Sequence, residues 1–259
     1  MPGTQLDVTH PNCPDYCWPF LSPQATAQCL ARRIKLAAPT TLGDIYAGSS
    51  SIVPGGKYGL SVRHGATTDN LRLTVDDSGA QQDAIVGSDQ FTMMFAYRKT
   101  DATARASAAF GGLSGGDGEA IGIRLPYNDG NIYFHYGFYA NVLTVPVTGI
   151  TFGDDLWVCN VGLRGMELWQ NGILVGSNSN HPTRTSSGAT THFACPAFAS
   201  NQSDLADTAF VMTWNRQLTV AAIRHMSANP WQVFQPAGSL YAIAPPGIAG
   251  TFAALCIAV

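Results

Sequence analysis

Two glutamates are the residues of this sequence best suited to acid–base chemistry on glycosidic bonds. Retaining hydrolysis needs a nucleophile and an acid about 5 Å apart, which sandwich glycosidases supply as two Glu around an Asp on one strand. The chain has only Glu119 and Glu167, and neither has a carboxylate partner at such a spacing on a strand, apart from Asp117 in a glycine loop. The spacing therefore predicts that the protein is not an enzyme, with glycan hydrolysis as a distant alternative.

Nucleophilic catalysis is also poorly supported by the sequence. Gly112, Ser114 and Gly116 match G-x-S-x-G, but the residues that follow form no helical stretch, and a nucleophile elbow needs a strand before the serine and a helix after it. The six histidines are isolated, and none forms an H-x3-H or H-E-x-x-H pair. We therefore interpret the glycine and serine run as a loop and predict no catalytic residues.

Oxygen ligands for calcium are offered by two pairs of aspartates. Asp154 and Asp155 are the first pair, and Asp204 and Asp207 are the second. Carboxylate oxygens are the ligands that calcium prefers in proteins. Because adjacent aspartates are also ordinary turn formers, the sequence predicts no cofactor, with calcium at Asp154 and Asp155 as the alternative.

Thiols and one imidazole near the N-terminus form a second group of metal-ligand types. Cys13, Cys17 and Cys29 with His10 could supply four soft ligands, but a C-x3-C pair with a distant third cysteine matches zinc spacings poorly. Unpaired thiols, a local disulfide and a metal site all remain open for these residues.

Aromatic residues on one strand favour sugar binding. Ile132, Phe134, Tyr136 and Phe138 alternate with Tyr133, His135 and Tyr139, and residues of the second set recur about 7 Å apart along the strand. If the first set faces the core, the second forms an amphipathic aromatic surface that can stack on sugar rings. Tyr133, His135 and Tyr139 are therefore candidate glycan-binding residues. The alternative is that both faces of this strand are covered by other parts of the protein.

The elements that would position these residues are short antiparallel strands. Trp157, Cys159, Val161 and Leu163 recur with period two, which predicts a strand with one face on a core. Asn171-Gly172 predicts a type I′ turn between two further strands. One helix is predicted downstream, with Thr219 as N-cap and Asn229-Pro230 at its end.

Three regions differ in composition. We predict an N-terminal arm with a short helix (Pro23 to Leu36) over residues 1–55, a β-sandwich over 56–234, and an apolar C-terminal arm over 235–259. No charged residue follows Arg224. An uncharged, strand-like tail is expected to dock on its own sandwich or on the sheet of a neighbouring subunit. The residues predicted to form this assembly arm are Leu240, Tyr241, Ile243, Phe252, Leu255 and Ile257.

Composition and charge exclude several classes of protein. Hydrophobic residues are 46% and charged residues 12% of 259, a composition that buries a core. A net charge of −3 argues against nucleic-acid binding, which needs clustered Lys and Arg. The opening MPGTQLDVTH has no apolar run, so we expect synthesis in the cytoplasm without a secretory signal. The tail after Pro246 is too short to span a bilayer, which needs roughly 20 residues, so no membrane partner is expected.

The segment WNRQLTVAAIRHMSANPWQVF resembles the end of laminin-G-like proteins encoded by tailed bacteriophages and prophages. The residues that carry this resemblance are Trp214, Arg216, Leu218, Thr219, Ile223, Asn229, Pro230, Trp231, Gln232 and Phe234. The resemblance implies an all-β fold, an antiparallel two-sheet jelly roll of the concanavalin A and laminin-G type with extended arms.

The same resemblance implies a virion protein made in the host cytoplasm. Its expected partners are other virion subunits and copies of itself. A head decoration protein that clamps neighbouring subunits through its arms is the first hypothesis, because arms and an apolar tail suit contacts between subunits. A tail or head fibre module that binds host surface polysaccharide is the alternative.

Overall fold

The structure of the chain is a computed structural model, which describes residues 4–19, 26–27, 30–31, 45–46, 51–54, 56–63, 71–73, 89–99, 110–114, 118–127, 129–136, 142–182, 191–193 and 206–236. Nineteen strands lie within these residues. They are β1 (Thr4–Leu6), β2 (Tyr16–Pro19), β3 (Thr26–Ala27), β4 (Leu30–Ala31), β5 (Ile45–Tyr46), β6 (Ser51–Pro54), β7 (Leu60–Arg63), β8 (Leu71–Leu73), β9 (Phe91–Lys99), β10 (Phe110–Ser114), β11 (Gly118–Arg124), β12 (Asn131–Tyr136), β13 (Val142–Pro146), β14 (Asp154–Gly162), β15 (Gly165–Gln170), β16 (Ile173–Asn178), β17 (Thr191–Phe193), β18 (Ala206–Trp214) and β19 (Phe234–Pro236). The helix α1 (Val220–Ala228) and a 3-10 turn (Pro230–Val233) lie between the last two strands.

Two antiparallel sheets form the body of the protein. The eight-stranded sheet has the order β13-β12-β11-β10-β17-β8-β5-β3. The nine-stranded sheet has the order β16-β15-β14-β9-β18-β2-β4, to which β7 is added beside β18 and β6 beside β7. The predicted all-β, antiparallel two-sheet sandwich with one short C-terminal helix is therefore confirmed.

The main core lies between the two sheets. Alternate residues of β9 and β14 point into it from the nine-stranded sheet, and Ile132, Phe134 and Tyr136 of β12 point into it from the other sheet. Trp157, Cys159 and Val161 are fully buried there, on the face that their alternation predicts. Leu163, expected on the same face, is 82% exposed. That expectation is wrong because β14 ends at Gly162 and Leu163 lies in the turn before β15.

A second core covers the outer face of the nine-stranded sheet. Ile223 and Met226 of α1 pack there with Val158, Met212 and Trp214 of the sheet. The other face of β14 is therefore buried too, which is typical of a central strand packed on both sides. In the part of the chain that the structure describes, no helix is long and apolar enough to cross a membrane.

The segment predicted as an N-terminal arm contributes strands to both sheets. β2 pairs with β18 and β4 pairs with β2 in the nine-stranded sheet, and β3 pairs with β5 in the other. The prediction of a helix from Pro23 to Leu36 is wrong at the four residues of that range that the structure describes. Thr26–Ala27 and Leu30–Ala31 are strands. Pairing with distant strands overrides the weak local helix preference. The described residues of these strands thus belong to the two sheets, and the bounds of the arm at residues 1–55 stay a prediction.

The turn and helix signals of the sequence agree with the structure. Asn171 and Gly172 both have positive φ, 51° and 81°, as a type I′ turn requires. The Thr219 side chain accepts a hydrogen bond from the backbone N–H of Ala222 at 3.2 Å, and α1 ends before Asn229. These local signals fix where the hairpin between β15 and β16 turns and where α1 begins.

A buried polar network fastens the segment before α1 to the nine-stranded sheet. The Asn160 side chain accepts hydrogen bonds from Thr92 Oγ1 (2.6 Å) and Leu218 N (3.0 Å), and it donates to Glu167 Oε2 (2.7 Å) and Leu218 O (3.1 Å). Arg164 forms an ion pair with Glu167 at 3.0 Å. Burial by itself raises the pKa of Glu167, but hydrogen bonds from Arg164, Asn160 and Trp169 outweigh burial and hold that pKa below its usual value.

Candidate functional site

The hairpin between β11 and β12 places polar aromatic residues on the outer face of the eight-stranded sheet. Because Phe134 faces the core, its neighbours Tyr133 and His135 lie on the opposite face. Tyr133 pairs with Arg124 of β11 on one side and with Thr144 of β13 on the other. Paired residues of an antiparallel sheet share a face, so these side chains lie together.

Five residues form a cluster at this position, which we call the tyrosine cluster: Arg124, Tyr127, Asp129, Tyr133 and His135. The rings of Tyr127 and Tyr133 meet edge to face, with centroids 5.8 Å apart. The ring of His135 stacks on that of Tyr133 at 6.0 Å, and the guanidinium of Arg124 lies 4.8 Å from the centre of the Tyr127 ring. The two tyrosines are half-buried, whereas Arg124 and His135 are buried.

The carboxylate of Asp129 completes the cluster at the exposed tip of the hairpin. Its Oδ1 accepts a hydrogen bond from the backbone N–H of Asn131 at 3.0 Å, and its Oδ2 accepts one from the hydroxyl of Tyr133. The hydrogen bond from Tyr133 lowers the pKa of Asp129, and the same bond raises the pKa of Tyr133. Asp129 is therefore charged and Tyr133 keeps its proton at neutral pH.

His135 is uncharged at neutral pH. Burial lowers its pKa to about 4, and the positive charge of Arg124 acts in the same direction. The ring thus serves as a neutral, flat support for Tyr133 rather than as a cation.

The tyrosine cluster has the chemistry of a sugar-binding surface. Half-buried aromatic rings can pack against the apolar face of a sugar ring, while a fixed carboxylate and a phenol can bind its hydroxyl groups. The sequence places Tyr133 and His135 on one face, and the structure brings them into ring contact. His135, expected on an exposed surface, is only 5% exposed. Tyr139 lies outside the described residues.

Three members of the tyrosine cluster were missed by reasoning from the sequence. Tyr127 and Asp129 lie in the loop before β12, and Arg124 lies on the neighbouring strand β11. The alternation of residues along one strand cannot identify side chains that the neighbouring strand or the connecting loop brings to the same face. The available signal was the turn at Gly130, which sets Arg124 opposite Tyr133.

The two aspartates proposed for calcium are not brought together. Asp154 and Asp155 are successive residues of β14, so their side chains leave on opposite faces. Asp154 lies 3.4 Å from Arg98 Nε, and Asp155 accepts hydrogen bonds from Gly153 N (2.7 Å) and Asn171 Nδ2 (2.8 Å). Both carboxylates already have N–H donors that hold the ends of strands together.

The second pair of aspartates gives no calcium site within the described residues. Asp207 is buried and pairs with Arg98, and Asp204 lies outside the described residues. Across the described ranges, no three His, Cys, Asp or Glu side chains are grouped so that they could hold a metal ion.

The remaining candidate residues are only partly described. Cys13 and Cys17 are fully buried, and His10 stacks on His225 with ring centroids 6.3 Å apart. Cys29 lies outside the described residues, so the metal and disulfide hypotheses for these thiols stay predictions. The assembly-arm residues also lie outside the described part of the chain: Leu240, Tyr241, Ile243, Phe252, Leu255 and Ile257.

Solved structures with a similar fold include parts of glycan-processing enzymes. The sialidase of Trypanosoma rangeli matches with a TM-score of 0.62 and 13% identity over 84% of this chain and 33% of the sialidase chain. Domain 4 of AbnA, an extracellular GH43 arabinanase from Geobacillus stearothermophilus, matches with a TM-score of 0.59 and 15% identity, over 87% of this chain and 99% of that one. That domain was solved in complex with arabinotriose.

Sequence comparisons add no closer relative. No protein-family model matches the chain. No curated protein matches it either. This chain corresponds to about a third of the sialidase and to nearly all of the arabinanase domain.

The expectation that this protein is not an enzyme needs correction. A sialidase and an arabinanase contain domains of this fold, so the lack of two glutamates around an aspartate on one strand does not exclude enzymes. At 13% and 15% identity the likeness shows the fold alone, and it transfers no catalytic residue. These neighbours support the β-sandwich part of the resemblance seen in the sequence, and the phage part stays a prediction.

Proposed function

We propose that this β-sandwich is a carbohydrate-binding domain and that the tyrosine cluster holds the sugar. The observation that carries the proposal is the pair of half-buried rings, Tyr127 and Tyr133, beside the charged carboxylate of Asp129. Rings fixed by neighbouring side chains lose little conformational freedom on binding, so their contact area contributes efficiently to affinity.

Similar solved structures support this proposal. The arabinanase domain spans the same sandwich as this chain and is in complex with a trisaccharide. A domain of this kind would serve equally as part of a glycan-active enzyme or as the fibre module that the phage resemblance suggests. In both settings the ligand is an oligosaccharide or polysaccharide.

Calorimetric titration tests the proposal with oligosaccharides chosen from a glycan array, arabinotriose among them. Tyr133→Ala should weaken binding by roughly tenfold or more, because it removes the central ring of the cluster. Tyr133→Phe keeps the ring and should lose less. Ile173→Ala removes an exposed side chain of the other sheet and should leave the affinity unchanged.

Two results would contradict a sugar site at the tyrosine cluster. One is an array on which the wild-type chain binds no glycan. The other is a Tyr133→Ala protein that binds as well as wild type. Circular dichroism of each variant establishes that a lost affinity reflects the site and not an unfolded protein.

A second candidate function is assembly into a virion as a decoration protein. The observation in its favour is β16, which ends the nine-stranded sheet as described and carries no charged residue. Ile173 and Leu174 on this strand are 69% and 44% exposed. An uncharged apolar edge strand is a surface to which another strand can be added.

Assembly predicts that the purified chain forms oligomers or binds empty capsids. Deleting residues 237–259 should abolish attachment while the sandwich still folds, and Ile173→Lys should weaken it by placing a charge at the edge. Unchanged attachment of both variants, measured by sedimentation with capsids, would count against this function.

A further inference from the structure

Charges in the tyrosine cluster are unequally accessible to a ligand. Asp129 is exposed, whereas Arg124 is 8% exposed and lies against the ring of Tyr127. His135 is buried and uncharged at neutral pH. Of the five residues of the cluster, the only charge that meets solvent freely is therefore negative.

The exposed oxygens of the cluster still have room for ligand hydrogen bonds. A carboxylate has about four lone-pair positions, and Asp129 uses one for Asn131 N and one for the Tyr133 hydroxyl. The Tyr133 hydroxyl donates its proton to Asp129, so only its lone pairs remain available. Both groups can accept hydrogen bonds and neither has a proton to offer. This pattern is complementary to ligand hydroxyl groups, which donate.

An acidic sugar would meet unfavourable electrostatics at the same place. Its carboxylate would lie close to Asp129, and like charges a few ångströms apart repel unless a cation lies between them. Arg124 is the cation of the cluster, but it is only 8% exposed and its guanidinium packs 4.8 Å from the centre of the Tyr127 ring, so Asp129 is the charge that a ligand meets first.

We propose that the tyrosine cluster selects neutral oligosaccharides and rejects those that carry sialic or uronic acids. The sugar packs on the ring of Tyr133 and donates hydroxyl hydrogen bonds to Asp129. This inference rests on the proposed carbohydrate-binding function and names its ligand class. The sialidase of similar fold would suggest a sialylated ligand, whereas the charge of Asp129 predicts a neutral one.

Matched pairs of neutral and acidic glycans test the selection directly. The pairs are lactose against sialyllactose, and fully methyl-esterified polygalacturonate against polygalacturonate, titrated at low and high salt. The neutral member of at least one pair should bind, roughly tenfold or more tighter than its acidic counterpart. Its affinity should not depend on salt, because no ion pair forms.

Asp129→Asn isolates the role of the carboxylate. The variant keeps the size of the side chain and one acceptor oxygen, but it removes the charge and two lone-pair positions. Binding of the neutral sugar should weaken by about tenfold, and the preference over the acidic sugar should shrink. Asp7→Asn is the matched control, since Asp7 also accepts from a backbone N–H two residues later, that of Thr9 at 3.0 Å.

The outcomes separate this inference from the function on which it rests. Tighter binding of the acidic member, or an Asp129→Asn protein with unchanged affinity and preference, overturns neutral selection. If Tyr133→Ala still abolishes binding in that case, the sugar site itself stands. A wild-type chain that binds no glycan of any class overturns both proposals.

Discussion

Replacing Asn160 should reveal how strongly the buried network holds the segment before α1 on the sheet. The side chain has no exposed surface and takes part in four hydrogen bonds, two to Leu218 and one each to Thr92 and Glu167. Each such bond contributes about 1 kcal/mol net, more where one partner is charged.

Not all of that contribution is lost in Asn160→Ala. Leu218 N keeps a second acceptor in Thr92 Oγ1 at 3.1 Å, and Leu218 O keeps a second donor in Arg164 Nη2 at 2.6 Å. We therefore expect Asn160→Ala to lower the free energy of unfolding by about 2–3 kcal/mol, rather than by the full sum of four bonds. That is a large share of the roughly 5–15 kcal/mol that stabilises a typical folded domain.

Asn160→Asp should be worse than Asn160→Ala at neutral pH. It replaces the N–H donor 2.7 Å from Glu167 Oε2 with a second buried carboxylate. Two carboxylates at this distance cannot both stay ionised, so one must take up a proton on folding. We expect a loss of about 4 kcal/mol or more at pH 7, comparable to breaking a buried ion pair.

The second carboxylate should also change how the stability of the protein depends on pH. In Asn160→Asp the folded state binds a proton that the unfolded state releases, so the stability of this variant relative to that of the wild type should rise as the pH falls from 7 towards 5. In the wild type the pKa of Glu167 is lowered by folding, so its contribution is present above its usual value of 4.5 and is lost as the pH falls below it.

Urea unfolding followed by tryptophan fluorescence at pH 7 and pH 5 measures both effects. Asn180→Asp, at an exposed position, is the control for adding a carboxylate. If Asn160→Asp is as stable as Asn160→Ala at pH 7, or if the stability difference between Asn160→Asp and the wild type is the same at pH 7 and pH 5, the buried network does not act as described.

Gly176, His135 and Thr219 should each contribute measurably to the stability of the fold. Gly176→Ala would place a methyl group against the side chain of Val145 where the two sheets meet, and should lower the free energy of unfolding in urea by about 1–3 kcal/mol. Adding Val145→Ala should restore part of that loss. If the two substitutions change the free energy of unfolding in a strictly additive way, this contact is contradicted. As the pH falls from 6.5 to 4, His135 should lower the free energy of unfolding of the wild type by up to about 3 kcal/mol, because the histidine of the unfolded chain is protonated at a higher pH than the buried one. His135→Gln should flatten that dependence. Thr219→Ala removes the cap that accepts from Ala222 N and should cost about 1 kcal/mol in thermal unfolding, with Thr219→Ser close to wild type.

Much of the fold could be predicted because its signals are local. The alternation of Trp157, Cys159 and Val161 predicts a strand with a core face, since successive side chains of a strand point to opposite sides. The pair Asn171-Gly172 predicts its own turn because few residues adopt positive φ.

The short strands β3 and β4 near the N-terminus could not be predicted, because long-range pairing determines them. β3 and β4 have two residues each, too few to show a period, and their partners β5 and β2 are fixed only when the sheets assemble. A short helix-like stretch was therefore misassigned where long-range pairing decides the conformation.

Sequence alone determined that this chain is a two-sheet sandwich, and that Tyr133 and His135 share a face of one strand. Tertiary structure decided which residues join them. Arg124 and Tyr127 reach Tyr133 across a hairpin, and the packing of these rings leaves Asp129 as the accessible charge. The physical reason is that the backbone of each strand sets the alternation of its own side chains. Exposure and cross-strand contacts depend instead on which strands and loops become neighbours when the sheet assembles.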